Sequence, residues 1–145
     1  MTTDDARFSG IARLYGRAGL ERLRGARVMV IGIGGVGTWV AEALARTAVG
    51  RIDLVDLDEV CVTNTNRQLV ALSSTVGQPK AEAMAARLRD IAPSCVVRAD
   101  VRFFTERSAD DLLQPGIDVV VDAIDSVKNK CLLIQRCHAL GIPVV

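Results

Sequence analysis

Short, mostly apolar runs recur along the chain, with segments of helical spacing between them. Four runs, at residues 27–33, 51–56, 95–101 and 117–124, have the length of a strand, and residues 142–145 begin a fifth. Continuous apolar runs of this length are typical of strands that are buried on both faces of a parallel sheet. The pattern therefore predicts parallel strands that are covered by helices on both sides.

Between these runs, apolar residues return every third or fourth position, which is the period of an amphipathic helix. Val36 and Leu44 carry this pattern after the first strand, and Gly50 is expected to end that helix. Pro79 suits the first turn of one later helix, and Thr105 suits the capping position of another. The alternation predicts an α/β fold with a doubly wound, mainly parallel, Rossmann-like sheet.

Two regions are expected along the chain. Residues 1–25 are expected to form an N-terminal helical segment, with Leu14, Leu20 and Leu23 as its apolar anchors. Residues 26–145 are expected to form one nucleotide-binding domain. Because the sequence ends inside an apolar strand, we expect this domain to be truncated on its C-terminal side.

Composition and charge are those of an ordinary folded domain. The 145 residues are 50% hydrophobic and 24% charged, with a net charge of +1. This balance carries no electrostatic sign of nucleic-acid or membrane binding, so no DNA partner is expected. No apolar run approaches the roughly 20 residues that a membrane span needs. The 4 cysteines form no C-x-x-C pair, and we expect reduced thiols in a cytoplasmic protein.

A glycine-rich turn follows the first strand directly and opens the next helix. It contains Gly32, Gly34, Gly35 and Gly37. Glycines let the backbone approach a phosphate closely, and the helix start offers free N–H groups to it. Asp56, at the end of the second strand, can accept hydrogen bonds from ribose hydroxyls. These features predict an adenine nucleotide, and by themselves they leave NAD and ATP as alternatives.

Polar residues after the second strand favour ATP. The loop at residues 57–78 holds Asp58, Asn64 and Arg67, and Lys80 follows at the start of a helix. An arginine there can stabilise the charge that builds as pyrophosphate leaves, whereas a dehydrogenase has no use for it. A lysine in the first turn of a helix opposes the helix dipole, which is better explained by a bound anion. In the alternative interpretation, the loop is solvated and is held only by Asn and Thr turns.

Asp125 ends the fourth strand, on the edge of the sheet where ligands bind in this fold class. A carboxylate there can hold a Mg²⁺ ion that bridges phosphates. In the alternative interpretation, it caps the next helix and is only structural. Asp122, Lys128 and Lys130 lie nearby, and the two lysines fit ordinary exposed helix positions equally well. His138 is assigned no catalytic role.

Taken together, these motifs resemble the ubiquitin-activating-enzyme superfamily, whose bacterial members are of the ThiF, MoeB and HesA type. The resemblance is carried by the glycine turn and by Asp56, Asp58, Asp125 and the segments at residues 64–68 and 77–80. It covers nearly the whole chain. It implies a Rossmann-like fold and the adenylation of a carboxylate, with ATP and Mg²⁺ as cofactors.

The resemblance also implies roles for single residues. Gly35 and Asp56 would meet the adenosine and the phosphates. Arg67 and Lys80 would grip the triphosphate, and Asp125 would position Mg²⁺. Arg67, Lys80 and Asp125 are then the catalytic residues. The glycines of the turn, with Asp58 and Asn64, complete the expected nucleotide site.

Finer segments resemble the branch of this superfamily that acts on the threonylcarbamoyl group of a modified adenosine in tRNA. They lie at residues 7–8, 12–16, 60–68 and 123–126. The resemblance implies adenylation of the threonyl carboxylate, followed by ring closure that expels AMP. A tRNA partner, a homodimer and a link to a cysteine desulfurase or sulfur-acceptor system are implied by resemblance only.

Three alternatives stay open. Relatives with the same ATP chemistry activate the C-terminal carboxylate of a ubiquitin-like sulfur-carrier protein. Such relatives carry an arginine near the start that reaches the partner subunit's ATP, whereas this chain has Gly10 there, and Arg13 could replace it. An NAD-dependent oxidoreductase and a catalytically inactive nucleotide-binding fragment are alternatives of other classes.

Overall fold

Parallel strands form the centre of the molecule in the computed structural model, which describes residues 3–145. The strands are β1 (Arg27–Ile31), β2 (Arg51–Val55), β3 (Val96–Asp100) and β4 (Val119–Asp122). They lie in the order β3-β2-β1-β4, and every pairing is parallel. In this register Val30 lies beside Leu54 on one side and Val121 on the other. The chain order reverses at β1, so a ligand crevice is expected at the carboxyl ends of β1 and its neighbours.

Helices cover both faces of this sheet. They are α1 (Thr3–Arg7), α2 (Ser9–Gly25), α3 (Gly37–Arg46), α4 (Lys80–Ile91), α5 (Glu106–Leu112) and α6 (Val127–Leu140), with a short 3-10 turn at Val62–Asn64. Gly16, with φ 74° and ψ 168°, kinks α2 in its middle. None of the described helices is long and apolar enough to cross a membrane.

Two aliphatic layers hold the helices to the sheet. One layer packs α3 and α4, through residues such as Ala45 and Leu88, against the face that carries Val30. The other packs α5 and α6, through Leu112 and Leu133, against the opposite face. The alternating faces of β1 thus serve both layers, as a doubly wound sheet requires. The predicted fold class is confirmed.

The end of the chain, residues 142–145, was predicted to begin a fifth strand. It contributes one parallel bridge beside β4, between Val144 and Val120. The Val120 amide donates to the Pro143 carbonyl, and the Val145 amide donates to the Val120 carbonyl. The segment therefore lies along the free edge of β4 with very few paired residues. The division into a helical segment at residues 1–25 and a domain at residues 26–145 stays a prediction.

Two predictions were wrong in detail. Of the predicted anchors, Leu20 is buried and Leu23 packs against the core, whereas Leu14 is 69% exposed. Gly50 does not end α3, because Ala48 takes the left-handed backbone there, with φ 68°. A Cβ on Gly50 would lie 1.7 Å from the Arg24 carbonyl oxygen, so glycine is required for close packing.

Candidate nucleotide-binding site

A cavity of about 960 Å³ opens at the carboxyl edge of the sheet, where β1, β2 and β4 end. Cavities of roughly 300–1,000 Å³ hold small molecules and cofactors in other proteins. Its walls come from the glycine turn after β1, the loop after β2, the residues after β3 and the β4–α6 junction. Motifs that are far apart in the sequence therefore meet at one place.

The glycine turn forms the floor of this cavity. Gly32, Gly34 and Gly35 line it, and α3 begins directly behind them without a side-chain cap. Gly32 has φ 95°, which only glycine adopts without strain. Gly37 lies beneath the turn instead, where a Cβ would stand 1.7 Å from the Gly32 carbonyl oxygen. The turn thus offers bare backbone and a helix N-terminus to an anion.

Asp56 joins the glycine turn to the loop after β2. Its Oδ2 accepts from the Ile33 amide at 2.6 Å, and its Oδ1 accepts from the Asp58 amide at 2.8 Å. An ionised carboxylate has about four acceptor positions, so capacity remains for a ribose hydroxyl. Asp58 also lines the cavity, and its own side chain is 56% exposed. These contacts fix the acid predicted to bind ribose at the mouth of the cavity.

Arg67 and Lys80 line the same cavity, as the sequence predicted. The Lys80 side chain is 10% exposed, and its Nζ lies 3.5 Å from Asp58 Oδ2. The aliphatic carbons of Arg67 pass over Gly35, where an added Cβ would lie 3.2 Å from Arg67 Cγ. The Arg67 guanidinium donates to Asn66 Oδ1 at 2.9 Å and to the Thr63 carbonyl at 3.4 Å, and the residue is exposed. Two cations thus flank the floor on the side of β2.

Two residues build the loop that carries Arg67. Asn64 lines the cavity but is buried, and its Oδ1 accepts from the Cys61 amide at 3.0 Å. The Asn64 carbonyl accepts from the Arg67 amide, which closes the turn. Trp39 of α3 donates its indole N–H to the Arg67 carbonyl at 2.9 Å. The position of Arg67 is therefore set by the turn from one side and by α3 from the other.

The wall formed by the β4–α6 junction begins at Asp125, whose exposed side chain lines the cavity. Within residues 3–145 its carboxylate has no hydrogen bond or ion pair with another group. Ser126 caps α6 by accepting from the Asn129 amide at 3.5 Å, so the alternative interpretation of Asp125 as the cap is wrong. Lys130 also lines this wall and pairs with Asp122 at 2.8 Å.

Several lining residues escaped the sequence analysis. Arg102, Phe103 and Phe104 follow β3 and face the cavity, and their place after a strand end was the available signal. Gln68 was quoted only as part of a motif, yet it is 7% exposed and its Oε1 lacks a hydrogen-bond partner in the described structure. A buried amide oxygen without a partner is unusual, so Gln68 joins the residues that can contact a ligand in this cavity.

The 4 cysteines do not line this cavity. Cys61 is exposed, and the Thr63 hydroxyl, which donates to its Sγ at 3.1 Å, lowers the pKa of the thiol. Burial raises the pKa of Cys95 to about 11 and also raises the pKa of Cys137. All 4 cysteines are free thiols. Among residues 3–145, no group of 3 or more His, Cys, Asp or Glu side chains is arranged to hold a metal ion.

Comparison with known proteins gives close relatives. The chain is 51% identical over 139 residues to the tRNA threonylcarbamoyladenosine dehydratase of Escherichia coli K12, covering 96% of this chain and 52% of the relative. It is 38% identical over 130 residues to the sulfur carrier protein adenylyltransferase of Thermus thermophilus, covering 90% of this chain and 48% of the relative. The chain therefore spans about half the length of these curated relatives.

A solved structure agrees with these sequence matches. The crystal structure of the E. coli dehydratase TcdA in complex with ATP superposes with a TM-score of 0.95 at 50% identity. That match covers 97% of this chain and 58% of the other. The ThiF family model matches residues 8–145. On these matches, and with the fold and cavity described above, the chain belongs to the ThiF family.

Proposed function

We propose that this domain binds ATP with Mg²⁺ and transfers the adenylyl group to a carboxylate. The observation that carries the proposal is the convergence of Arg67, Lys80 and Asp125 on one cavity with the glycine turn as its floor. A triphosphate is a highly charged ligand, and two cations with a helix N-terminus supply matching charge. A triphosphate carries more negative charge than the pyrophosphate of NAD, and it therefore gains more from two cations and a helix N-terminus.

The proposed substrate is the threonyl carboxylate of threonylcarbamoyladenosine in tRNA, as the names of the relatives indicate. A carboxylate oxygen attacks the α-phosphorus of ATP and the bond to the β-phosphate breaks, so pyrophosphate leaves. A nucleophilic atom of the carbamoyl group then attacks the activated carbonyl carbon and loses its proton to solvent, while AMP departs with the former carboxylate oxygen. The net change is the loss of one water and the formation of a ring.

The cavity residues divide this work between them. Arg67 and Lys80 stabilise the negative charge that gathers on the departing pyrophosphate. Removing one well-placed donor of this kind typically costs about 10²–10³ in rate. Ring closure needs less help from the protein, because an intramolecular attack already has a high effective molarity.

Asp125 is proposed to hold Mg²⁺. Its carboxylate is exposed in the cavity and has no partner in the described chain, so it is free to accept an ion. Mg²⁺ commonly binds through only one or two carboxylates and takes its other ligands from phosphates and water. Asp125 alone therefore fits such an ion, which would neutralise phosphate charge during the transfer.

The direct test is pyrophosphate exchange in the intact protein. Labelled pyrophosphate should enter ATP only when Mg²⁺ and tRNA that carries threonylcarbamoyladenosine are present. The matched control is the same tRNA without the modification, which lacks the carboxylate and should give only background exchange. Exchange that does not depend on the modification would contradict the proposed substrate.

A second candidate is adenylation of a ubiquitin-like sulfur-carrier protein, which the similarity to the Thermus enzyme favours. The ATP chemistry would be the same, and only the source of the carboxylate would differ. The same exchange assay separates the tRNA substrate from the carrier-protein substrate. A carrier protein with a free C-terminal carboxylate is compared with one whose C-terminus is amidated. Exchange with neither substrate would contradict adenylation altogether and would leave the oxidoreductase and inactive-fragment alternatives.

We further propose a homodimer that works in the cytoplasm. Large apolar side chains such as Leu14, Tyr15 and Trp39 are exposed, as those of an association surface would be, and free thiols suit a reducing compartment. Light scattering of the intact protein tests the dimer, and cell fractionation tests the compartment. A link to a cysteine desulfurase or sulfur acceptor stays a prediction, which co-purification would test.

A further inference from the structure

One cation of the cavity, Lys130, lies on a different wall from Arg67 and Lys80. Lys130 is in the first turn of α6 and lines the same wall as Asp125. Because β1 lies between β2 and β4 in the sheet, the glycine turn separates this wall from the loop after β2. Lys130 is therefore placed apart from the two cations that are proposed to hold the triphosphate.

An ion pair fixes Lys130 in this position. Its Nζ donates to Asp122 Oδ2 at 2.8 Å, and the Asp122 side chain is only 7% exposed. The other oxygen of Asp122 accepts from the Ile124 amide at 3.1 Å. An ammonium has three donors, and Asp122 is the one side-chain partner of Lys130 within residues 3–145. With 39% of its side chain exposed, Lys130 keeps donors available to a ligand in the cavity.

The proposed reaction needs a cation at such a place. The attacking carboxylate is negative and has to approach a phosphate that is also negative, so the approach is opposed by repulsion. Arg102 also lines the cavity, but its guanidinium is engaged by Asp100 at 2.7 Å and by Asp111 at 3.5 Å. Lys130 is the cation of the β4–α6 wall with donors to spare.

We infer that the ammonium of Lys130 binds the substrate carboxylate and holds it for attack on the α-phosphorus of ATP. The inference rests on the proposed adenylation and adds a residue that recognises the substrate rather than the nucleotide. Asp122 acts as a positioning residue, because its carboxylate accepts the hydrogen bond from the Lys130 ammonium and so orients that side chain. The class of ligand is a carboxylate presented on a larger substrate, next to bound ATP.

The competing explanation is structural: Lys130 would merely neutralise the buried carboxylate of Asp122. Removing one partner of such a pair leaves an uncompensated charge and destabilises the fold. That role would change the midpoint of unfolding and affect ATP and substrate alike. Recognition of the substrate instead predicts a selective change in the kinetics with the carboxylate substrate.

The test compares Lys130→Met with Lys128→Met in the intact protein, since Lys128 is an exposed lysine of the same helix turn that does not line the cavity. AMP release is measured against the concentration of tRNA that carries threonylcarbamoyladenosine, and ATP affinity is measured separately by calorimetry. Lys130→Met should lower kcat/KM for the tRNA by roughly 10- to 100-fold, the usual effect of losing a charged hydrogen bond. ATP affinity should change less than about twofold, and Lys128→Met should leave both values near wild type.

Two further variants keep the test decisive if Lys130→Met is unstable. Lys130→Arg keeps the charge and should restore most of the activity. Lys130→Met combined with Asp122→Asn removes the uncompensated charge, and it should stay folded while remaining defective with the tRNA. An equal loss of ATP affinity and tRNA kinetics, or wild-type kinetics in Lys130→Met, would overturn the inference alone. A wild-type protein that reacts with no carboxylate would overturn the proposed function, and this inference with it.

Discussion

Replacing Arg67 with alanine should slow adenylation strongly while it changes the free energy of unfolding only slightly. The guanidinium hydrogen-bonds only locally, to Asn66 Oδ1 at 2.9 Å and to the Thr63 carbonyl at 3.4 Å, and the residue is exposed. Exposed interactions of this kind contribute about 1 kcal/mol or less to folding. If the guanidinium stabilises the departing pyrophosphate, its loss should slow adenylation about 10²–10³-fold, or roughly 2.7–4 kcal/mol of barrier. The effect on the rate should exceed the effect on the free energy of unfolding several-fold.

The assay pairs pyrophosphate exchange with urea unfolding, each measured on the same preparation. Arg46→Ala is the matched control, because it also removes an exposed arginine, one that pairs with Glu42 at 2.8 Å in the same helix. Arg46→Ala should lose a similar small amount of stability and no exchange activity. Arg67→Lys should fall between wild type and Arg67→Ala, since a lysine keeps the charge but not the planar fork. A rate that drops less than tenfold in Arg67→Ala, or only in step with stability, would refute the reasoning.

Three further variants test other features of the structure. Hydrogen bonds from two arginines lower the pKa of Glu42, so its stabilising contribution is present above pH 4.5 and is lost as the pH falls below that value. Glu42→Gln should therefore flatten the acid side of a plot of melting temperature against pH and cost about 1 kcal/mol or less at pH 7. Burial raises the pKa of Cys95 from 9.0 to about 11, so the fold should lose stability progressively as the pH rises from 9.0 to about 11. Across that interval the wild type should lose about 2 kcal/mol of unfolding free energy that Cys95→Ala keeps. Urea unfolding measures this, and an unchanged alkaline slope would contradict the assignment. Gly37→Ala brings a Cβ to 1.7 Å from the Gly32 carbonyl oxygen, so it should lower the free energy of unfolding by about 1–3 kcal/mol and weaken ATP binding. Gly10→Ala is the control, because its Cβ would meet nothing within 4 Å, and it should change neither quantity. Urea unfolding measures the stability and calorimetry measures the ATP affinity.

Hydrophobic patterning was sufficient to predict the class of the fold. A strand that is buried on both faces needs apolar residues at every position, and β1 shows this over most of its length. Details that depend on the approach of distant segments could not be read in the same way. Gly50 looked like a helix stop, but its role is set by the Arg24 carbonyl, which lies far away in the sequence. Leu14 matched a helical period, yet in the described structure no element covers it.

Some cavity-lining residues could be predicted because a polar side chain follows a strand or opens a helix. Asp56 and Asp125 follow β2 and β4, Lys80 opens α4, and Arg67 lines the cavity from the loop after β2. The partners of these residues were harder to predict, because hydrogen bonds depend on side-chain directions that a sequence does not give. The choice of Ser126 over Asp125 as the cap of α6 is one example, since both residue types are favoured at that position.

The bond from the Trp39 indole to the Arg67 carbonyl has a practical consequence. The chain contains 1 tryptophan, so all of its indole emission comes from a ring that is tied to the segment bearing the proposed phosphate-gripping arginine. Any ligand that shifts this segment alters the polarity around the ring. The molecule thus carries its own optical probe for events at the nucleotide pocket, and no dye has to be attached to follow them.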